Sequence, residues 1–158
     1  MSVRVTKILI IIDKGTQSGL SVNMAVISIN NGLIGRIVEI GPNWSKVLLI
    51  TDADSSVSSL NDRTRELAVT KGTKGDPVSD KYGFVKLTYL ATDADIITGD
   101  IITTSGFGGV FPKGILIGKV KEVKLEANGL TKYAHIEPAS DLKRLEEVVV
   151  IKGQRGVR

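Results

Sequence analysis

Short aliphatic and β-branched runs, each closed by Gly, Pro, Asn or Asp, recur along the whole chain. Runs of this kind predict β-strands. The predicted strands are Lys7–Ile12, Met24–Ile29, Leu33–Ile40, Lys46–Thr51, Val57–Asn61, Glu66–Val69, Phe84–Leu90, Ile101–Thr104, Leu116–Leu125, Thr131–Glu137 and Val148–Ile151. About a dozen short strands with turn signals every eight to twelve residues are typical of barrels or a sandwich.

Turn chemistry and helical spacing refine this pattern. Asn30-Asn31-Gly32 and Asn128-Gly129 are typical of hairpin turns. Ser59–Ala68 carries only part of a helical pattern, so a hairpin across Arg63-Thr64-Arg65 is the preferred interpretation. Ser140–Glu147 is predicted to form the one helical turn, with Ser140 as its cap.

One β unit is used twice. Ile34–Ile40 (IGRIVEI) matches Ile117–Val123 (IGKVKEV), which makes Gly35 and Gly118 equivalent. The second copy follows a glycine-rich connection, Gly106–Gly114, whose glycines and proline predict a shaped turn rather than a loose tether.

The predicted fold class is therefore all-β, with two small, mostly antiparallel β-barrels built from the duplicated unit. The predicted divisions are a first barrel at 1–72, an exposed loop or linker at 73–81, a second barrel at 82–152 and a flexible tail at 153–158. The linker is placed where the sequence KGTKGDPVSDK is rich in glycine and charge. The patterns leave open whether the barrels exchange a terminal strand.

Composition excludes several classes of protein. The 158 residues are 42% hydrophobic, enough for a core, and the absence of cysteine excludes disulfides and thiolate metal sites. The longest aliphatic run, Ile8–Ile12, is far shorter than the roughly 20 apolar residues that span a bilayer. The given sequence is therefore expected to be soluble, and a membrane anchor upstream of Met1 is left open.

The net charge of +4 is weak support for nucleic-acid binding. Three of the basic residues, Lys152, Arg155 and Arg158, lie in the glycine-containing tail, where a disordered end is the simpler interpretation. Phe84 and Tyr89 are too few to form a stacking surface and their odd separation places them on opposite strand faces. No nucleic-acid partner is predicted.

Catalytic, cofactor and metal sites are not predicted. His135 is the single histidine, and Ser105 lacks the flanking residues of known serine nucleophile motifs. A degenerate trypsin-like two-barrel peptidase using these two residues remains the alternative. Asp52 and Asp54 open a stretch that begins like a calcium loop, but Val57 stands where such a loop needs glycine, so turn closure by Asp is preferred.

Large apolar residues in turns are the candidate protein-contact residues. Trp44 follows Gly41-Pro42-Asn43, and Phe107, Val110 and Phe111 lie in the glycine-rich connection. Such side chains either plug the end of a barrel or form a surface for a protein partner.

Several of these stretches resemble the MreC family of bacterial rod shape-determining proteins. The most specific are GPNWSKVLLITD at 41–52 and TSGFGGVFPKG at 104–114. Shorter matches include DKG at 13–15, DSSV at 54–57, RTR at 63–65, DAD at 93–95 and EPA at 137–139, so the resemblance covers about 7 to 151. Asn23 stands where the family often has Gly, and Phe107 replaces a usual Leu.

The resemblance implies two β-barrels on the outer, periplasmic side of the bacterial cytoplasmic membrane. It implies a non-enzymatic scaffold of cell-wall elongation that maintains rod shape. Such a scaffold binds and activates a class B penicillin-binding transpeptidase and works with MreD, MreB, RodZ and RodA. Family members also have an N-terminal membrane helix and a dimerising coiled coil, both absent from this sequence, and self-association is expected.

Overall fold

The computed structural model describes residues 9–73, 84–142 and 144–152, and the regular secondary structure in this part of the chain is almost entirely β. A 3₁₀ turn, Thr16–Ser18, is its one helical element. The strands are β1 (Leu9–Ile12), β2 (Ala25–Ser28), β3 (Leu33–Ile40), β4 (Ser45–Leu49), β5 (Ser56–Asn61), β6 (Leu67–Gly72), β7 (Val85–Ala91), β8 (Ile101–Thr104), β9 (Leu116–Leu125), β10 (Thr131–Pro138) and β11 (Val148–Ile151).

The strands form two antiparallel sheets, and the predicted all-β fold class is confirmed. One sheet is open and has five strands in the order β1-β4-β3-β2-β11. The other is a closed six-stranded barrel in the order β10-β7-β6-β5-β8-β9. The C-terminal strand β11 joins the N-terminal sheet by pairing with β2, so a terminal strand does cross between the two units.

The strand pairing corrects the predicted division of the chain at 72–73. β5 and β6, assigned to the first domain, pair with β8 and β7 and belong to the closed barrel. The reason is packing, because Val57 and Ala68 face the barrel core and not the open sheet. Since the Thr73 amide donates to the Phe84 carbonyl at 2.9 Å, the predicted linker starts inside the barrel, between β6 and β7. Residues 74–83, which include the rest of the predicted linker, and the tail 153–158 lie outside the described residues.

The two sheets share a tightly packed junction. Gly32, at the start of β3, forms an isolated parallel bridge with Leu116 at the start of β9. Buried Ser140 donates through Oγ to Ser28 Oγ at 2.8 Å, and a Cβ on Gly32 would lie 2.3 Å from Ser140 Oγ. Leu33 of the open sheet belongs to the same apolar cluster as the barrel core.

Two local predictions have opposite outcomes. The hairpin at Ser59–Ala68 is confirmed, because β5 and β6 pair from Ser56–Lys71 to Leu60–Leu67. The helical turn at Ser140–Glu147 is wrong, since the described residues there form turns and irregular structure. Ser140 uses its hydroxyl to bridge the two sheets instead of capping a helix.

The duplicated unit is visible in backbone contacts. A Cβ added to Gly35 would lie 1.9 Å from the Leu48 carbonyl oxygen, and one added to Gly118 would lie 2.1 Å from the Glu137 carbonyl oxygen. Both contacts cross to the next strand, β4 or β10. The two glycines thus have the same role, allowing close approach of a neighbouring backbone.

Candidate protein-contact surface

The connection between β8 and β9 is a fixed loop built around Thr104. The Thr104 hydroxyl donates to the Pro112 carbonyl and accepts from the Ile115 amide at 2.8 Å. Gly106, Gly108, Gly109 and Gly114 all have positive φ, between 75° and 90°. Because only glycine adopts these angles at little cost, the sequence dictates the shape of this loop.

This loop separates its large apolar side chains into a plug and an exposed tip. Phe111 is only 8% exposed and belongs to the barrel core, and half-buried Val110 packs against the same core. Phe107 is 65% exposed. Of the three candidates from this loop, Phe107 is therefore the residue whose side chain is available to a partner, whereas Phe111 and Val110 close the barrel.

Trp44 lies in the turn between β3 and β4 and is half-buried. Its indole covers Gly41, where an added Cβ would lie 2.0 Å from Nε1. The Gly41 amide donates to the Trp44 carbonyl at 2.9 Å, and the Thr16 amide donates to the Gly41 carbonyl at 2.9 Å. Part of the indole is thus packed against the Gly41 backbone, and the rest is exposed to solvent.

Trp44 and Phe107 do not form one patch. The Phe107 loop leads into Leu116, which bridges to Gly32 at the start of β3. Ile40, the last residue of β3, is eight residues beyond Gly32, which corresponds to roughly 25 Å along an extended strand, and Trp44 lies in the turn that follows Ile40. The structure therefore separates the sequence-predicted contact residues into two surfaces and a core plug.

The residues of the alternative peptidase hypothesis are also far apart. Ser105 lies near the start of β9, because the amide of the preceding residue, Thr104, donates to the Ile115 carbonyl. His135 pairs with Glu122, which is seven residues beyond Ile115 along the chain. That is roughly 20 Å along the strand. Ser105 accepts a hydrogen bond from the Phe107 amide at 3.2 Å, and the His135 ring contacts the Phe84 ring. This geometry provides no nucleophile and base pair.

The aspartate turn at Asp52 has a structural role. Asp52 is buried, and its Oδ1 accepts a hydrogen bond from the Asp54 amide at 2.7 Å. No group of three or more His, Cys, Asp or Glu side chains able to hold a metal ion occurs in the described residues. The geometry agrees with turn closure by Asp.

A polar cluster that the sequence did not predict lies at the end of the barrel opposite the Phe107 loop, before β8. Buried Asp100 accepts hydrogen bonds from Arg63 Nε at 2.7 Å, Arg63 Nη2 at 3.0 Å, Asn61 Nδ2 at 2.9 Å and the Ile97 amide at 3.0 Å. Arg63 also pairs with exposed Asp95 at 3.0 Å. The cluster ties the β5–β6 turn to the connection between β7 and β8.

The charges in this cluster stabilise one another. Hydrogen bonding by Arg63 lowers the pKa of Asp100 from 3.8 to about 2, with further contributions from the Ile97 amide and the Asn61 amide group. The same guanidinium lowers the pKa of Asp95, and the two carboxylates raise the pKa of Arg63. Arg63 and Asp100 are 37 positions apart, so the sequence signal was limited to an arginine in a predicted turn.

The family described as "Rod shape-determining protein MreC, barrel core" matches residues 3–152. The cell shape-determining protein MreC of Geobacillus stearothermophilus is 37% identical over 148 residues, which is 89% of this chain and 50% of that protein. The chain thus spans about half the length of this relative.

Solved structures match as well. MreC from Pseudomonas aeruginosa superposes with a TM-score of 0.81 at 32% identity, covering 92% of this chain and 90% of that one. A structure described as the major periplasmic domain of the cell shape-determining filament MreC has a TM-score of 0.68 at 25% identity, covering 88% and 82%. MreC in a Helicobacter pylori complex with the penicillin-binding protein PBP2 has a TM-score of 0.62 at 20% identity, covering 80% and 74%. This last likeness concerns the fold alone.

The closed antiparallel barrel shares its core with the open sheet, and the terminal strand β11 belongs to the open sheet. This arrangement defines an all-β protein of the paired-barrel class. Within that class, the sequence and structural matches agree on one family. The chain belongs to the MreC family of cell shape-determining proteins. In the described residues, no helix is both long and apolar enough to cross a membrane.

Proposed function

We propose that this chain is the part of a cell shape-determining scaffold that contacts proteins of cell-wall elongation. The observation that carries the proposal is the family match over residues 3–152. The relative's whole-protein role is cell-shape determination, and this chain supplies the region equivalent to about half of that relative. The scaffold itself catalyses no reaction, which agrees with the wide separation of Ser105 and His135 along the barrel.

The proposed partner is a class B penicillin-binding transpeptidase. A structural neighbour with the same fold was solved as a complex between a penicillin-binding protein and MreC. We place the chain on the extracytoplasmic side of the membrane because a family relative is described as a periplasmic domain. MreD, MreB, RodZ, RodA and a second copy of the scaffold remain further proposed partners.

The proposed mechanism is selection of one conformation of the transpeptidase. A scaffold that binds the active conformation more tightly than the inactive one shifts the equilibrium toward activity, by no more than the difference between its two binding free energies. The exposed side chain of Phe107 is supported as an anchor, since a large aromatic group on a fixed loop loses little conformational entropy on binding. Trp44, held by its contact with Gly41, is the second proposed contact.

A pull-down tests the proposed partner. The purified chain is immobilised and exposed to detergent-solubilised bacterial membranes, and the retained proteins are identified by mass spectrometry. We expect a class B penicillin-binding protein to be retained above a resin without bait, and to be reduced when the bait carries Phe107→Asp. Retention of no penicillin-binding protein would contradict the proposed partner, while retention unaffected by the substitution would exclude Phe107 as a contact.

A further inference from the structure

Two of the six asparagines of the chain are followed by glycine, and both lie in connections between neighbouring strands. Asn31-Gly32 lies between β2 and β3, and Asn128-Gly129 lies between β9 and β10. Asparagine before glycine is chemically labile, because the next backbone nitrogen attacks the side-chain amide carbon and glycine has no Cβ to obstruct it. The two connections differ in how far the fold permits this attack.

The fold holds Gly32 in a fixed position. Gly32 is buried, and its amide donates to Ser28 Oγ at 3.2 Å. Its carbonyl accepts from the Ser28 amide at 2.9 Å, and an added Cβ would lie 2.3 Å from Ser140 Oγ. A bond between the Gly32 nitrogen and the Asn31 side chain would remove a buried hydrogen bond and shift Gly32 within this packed junction. The junction therefore protects Asn31.

Gly129 lies in open space instead. Asn128 and Gly129 are both exposed. Apart from the glycine and its chain neighbours, no atom of the described residues lies within 4 Å of a Cβ added to Gly129. The Gly129 amide donates to the Glu126 carbonyl at 3.0 Å, at the exposed tip of a hairpin. Because bonds at such positions open at a small cost in free energy, the Gly129 nitrogen is available for reaction.

The side chain of Asn128 is held with its carbonyl toward the following backbone. Its Oδ1 accepts from the Leu130 amide at 2.8 Å and from the Thr131 amide at 3.3 Å. The Gly129 nitrogen lies within the ring of atoms that the first of these bonds closes, so this Asx turn keeps Cγ near that nitrogen. Two amide donors on Oδ1 also stabilise the negative charge that develops on the oxygen during the attack, as in an oxyanion hole.

We propose that Asn128 is a site of spontaneous deamidation and that the fold protects Asn31 from the same reaction. The Gly129 nitrogen loses its proton to hydroxide and forms a bond to Asn128 Cγ, and Nδ2 leaves as ammonia. Water then adds to the resulting succinimide. Cleavage of its bond between Cγ and nitrogen gives aspartate, and cleavage of its bond between the main-chain carbonyl carbon and nitrogen gives isoaspartate. Overall, one amide and one water become one carboxylate and one ammonium ion.

The two products change the β9–β10 hairpin differently. Aspartate keeps an oxygen acceptor for the Leu130 and Thr131 amides, and its charge strengthens both bonds, so this product leaves the turn folded. Isoaspartate carries the main chain through Cβ, which lengthens the backbone by one atom and disrupts the turn. Both products place a negative charge between exposed Leu125 and Leu130. The surface of this hairpin therefore changes as the molecule ages.

Deamidation of the full chain tests the proposal. The chain is incubated at mildly alkaline pH, either folded or unfolded in concentrated guanidinium chloride, with the state of each sample checked by circular dichroism. Samples are digested with pepsin at low pH, where succinimide formation is slow, and mass spectrometry locates each exchange of an amide for a carboxylate. Isoaspartate is confirmed by methylation with a protein isoaspartate methyltransferase.

We expect the fold to separate the two sites. In guanidinium chloride, Asn31 and Asn128 should react at rates within about threefold of each other. In the folded chain, Asn128 should react at least about tenfold faster than Asn31. The rate at Asn128 should rise with pH, because the Gly129 nitrogen attacks only after it loses its proton.

Two variants test the assigned contacts. Gly129→Ala adds a methyl group beside the attacking nitrogen, where space is open, and should slow the reaction of Asn128 about tenfold or more without changing Asn31. Ser28→Ala removes the hydroxyl that accepts the Gly32 amide and should speed the reaction of Asn31 without changing Asn128.

The outcomes that would overturn the proposal are distinct. One is an unmodified Asn128 in the folded chain, and another is an Asn31 that reacts as fast as Asn128 there. If the tenfold difference persists in guanidinium chloride, neighbouring sequence and not the fold sets it, which would overturn the assigned protection. An unchanged Asn31 rate in a folded Ser28→Ala protein would do the same. The inference does not depend on the proposed function.

Discussion

Asp100 is expected to be a main pH-dependent stabiliser of the closed barrel. Its side chain is 3% exposed, and its carboxylate accepts four hydrogen bonds, two of them from Arg63. A carboxyl pKa that falls from 3.8 to about 2 on folding corresponds to about 2 kcal/mol of stability at neutral pH. Asp100→Asn removes the charge while nearly preserving the shape, so we expect it to lower the free energy of unfolding by about 2 kcal/mol at pH 7.

The pH dependence of this loss has a definite sign. Because folding lowers the pKa of Asp100, its contribution is present above 3.8 and disappears as the pH falls through about 2. Roughly half of the 2 kcal/mol should therefore be gone at about pH 3. The difference between wild type and Asp100→Asn should shrink to about 1 kcal/mol there.

Urea unfolding followed by far-ultraviolet circular dichroism at pH 7 and pH 3 measures this difference directly. Asp93→Asn, which removes an exposed carboxylate from the same connection, is the matched control and should change stability by less than about 0.5 kcal/mol. A loss for Asp100→Asn that is the same at both pH values would refute the reasoning. So would a loss no larger than that of the control.

Three other predictions concern the repeated glycines, the core plug and the peptidase alternative. Gly35→Ala and Gly118→Ala should each lower the free energy of unfolding by at least about 2 kcal/mol, because the added Cβ meets a carbonyl oxygen. Gly108→Asn, at an open position with positive φ, should lower it by less than about 1 kcal/mol. Equal losses for the three variants in urea unfolding would contradict this. Phe111→Asp should abolish the cooperative thermal transition because it buries a carboxylate in the barrel core, and a folded Phe111→Asp protein would show that the loop can open. A fluorophosphonate probe should not label the chain, and labelling that Ser105→Ala removes would revive the peptidase alternative.

Local signals predicted the strands well because their information lies within a few residues. β3, β8, β9 and β11 have the predicted bounds, each ended by residues that favour turns. Asn31, in the predicted hairpin turn, has a φ of 71°, and Asn23, which replaces a frequent family glycine, has a φ of 77°. In both places asparagine adopts the left-handed conformation that its short polar side chain tolerates.

Pairing between distant strands was harder to predict. The β5–β6 hairpin was recognised, but nothing in its own sequence says that its outer edges pair with β7 and β8 rather than with the open sheet. Ser140 has the sequence of a helix cap, yet its hydroxyl bonds Ser28, a residue 112 positions away. Tertiary contacts of this length override local preference.

The candidate contact residues show the same limit. The glycines predicted a shaped loop, but whether Phe107 or Phe111 enters the barrel depends on the positions of Gly108 and Gly109 between them, both in the left-handed region. The sequence therefore predicted the loop but not which of its apolar side chains would be buried in the barrel and which would be exposed. The Arg63–Asp100 pair was missed for the same reason, because its two residues meet only once the barrel has closed.

The central claim is that this chain binds a class B penicillin-binding protein through Phe107. It is tested most directly by measuring the affinity of three proteins for the extracytoplasmic domain of that partner by biolayer interferometry. The wild type should bind saturably, and Phe107→Asp should weaken binding about tenfold or more. Leu130→Asp, which charges another highly exposed apolar residue, on the β9–β10 turn, should bind like the wild type. Absence of saturable binding by the wild type, or equal affinities for all three proteins, would contradict the account.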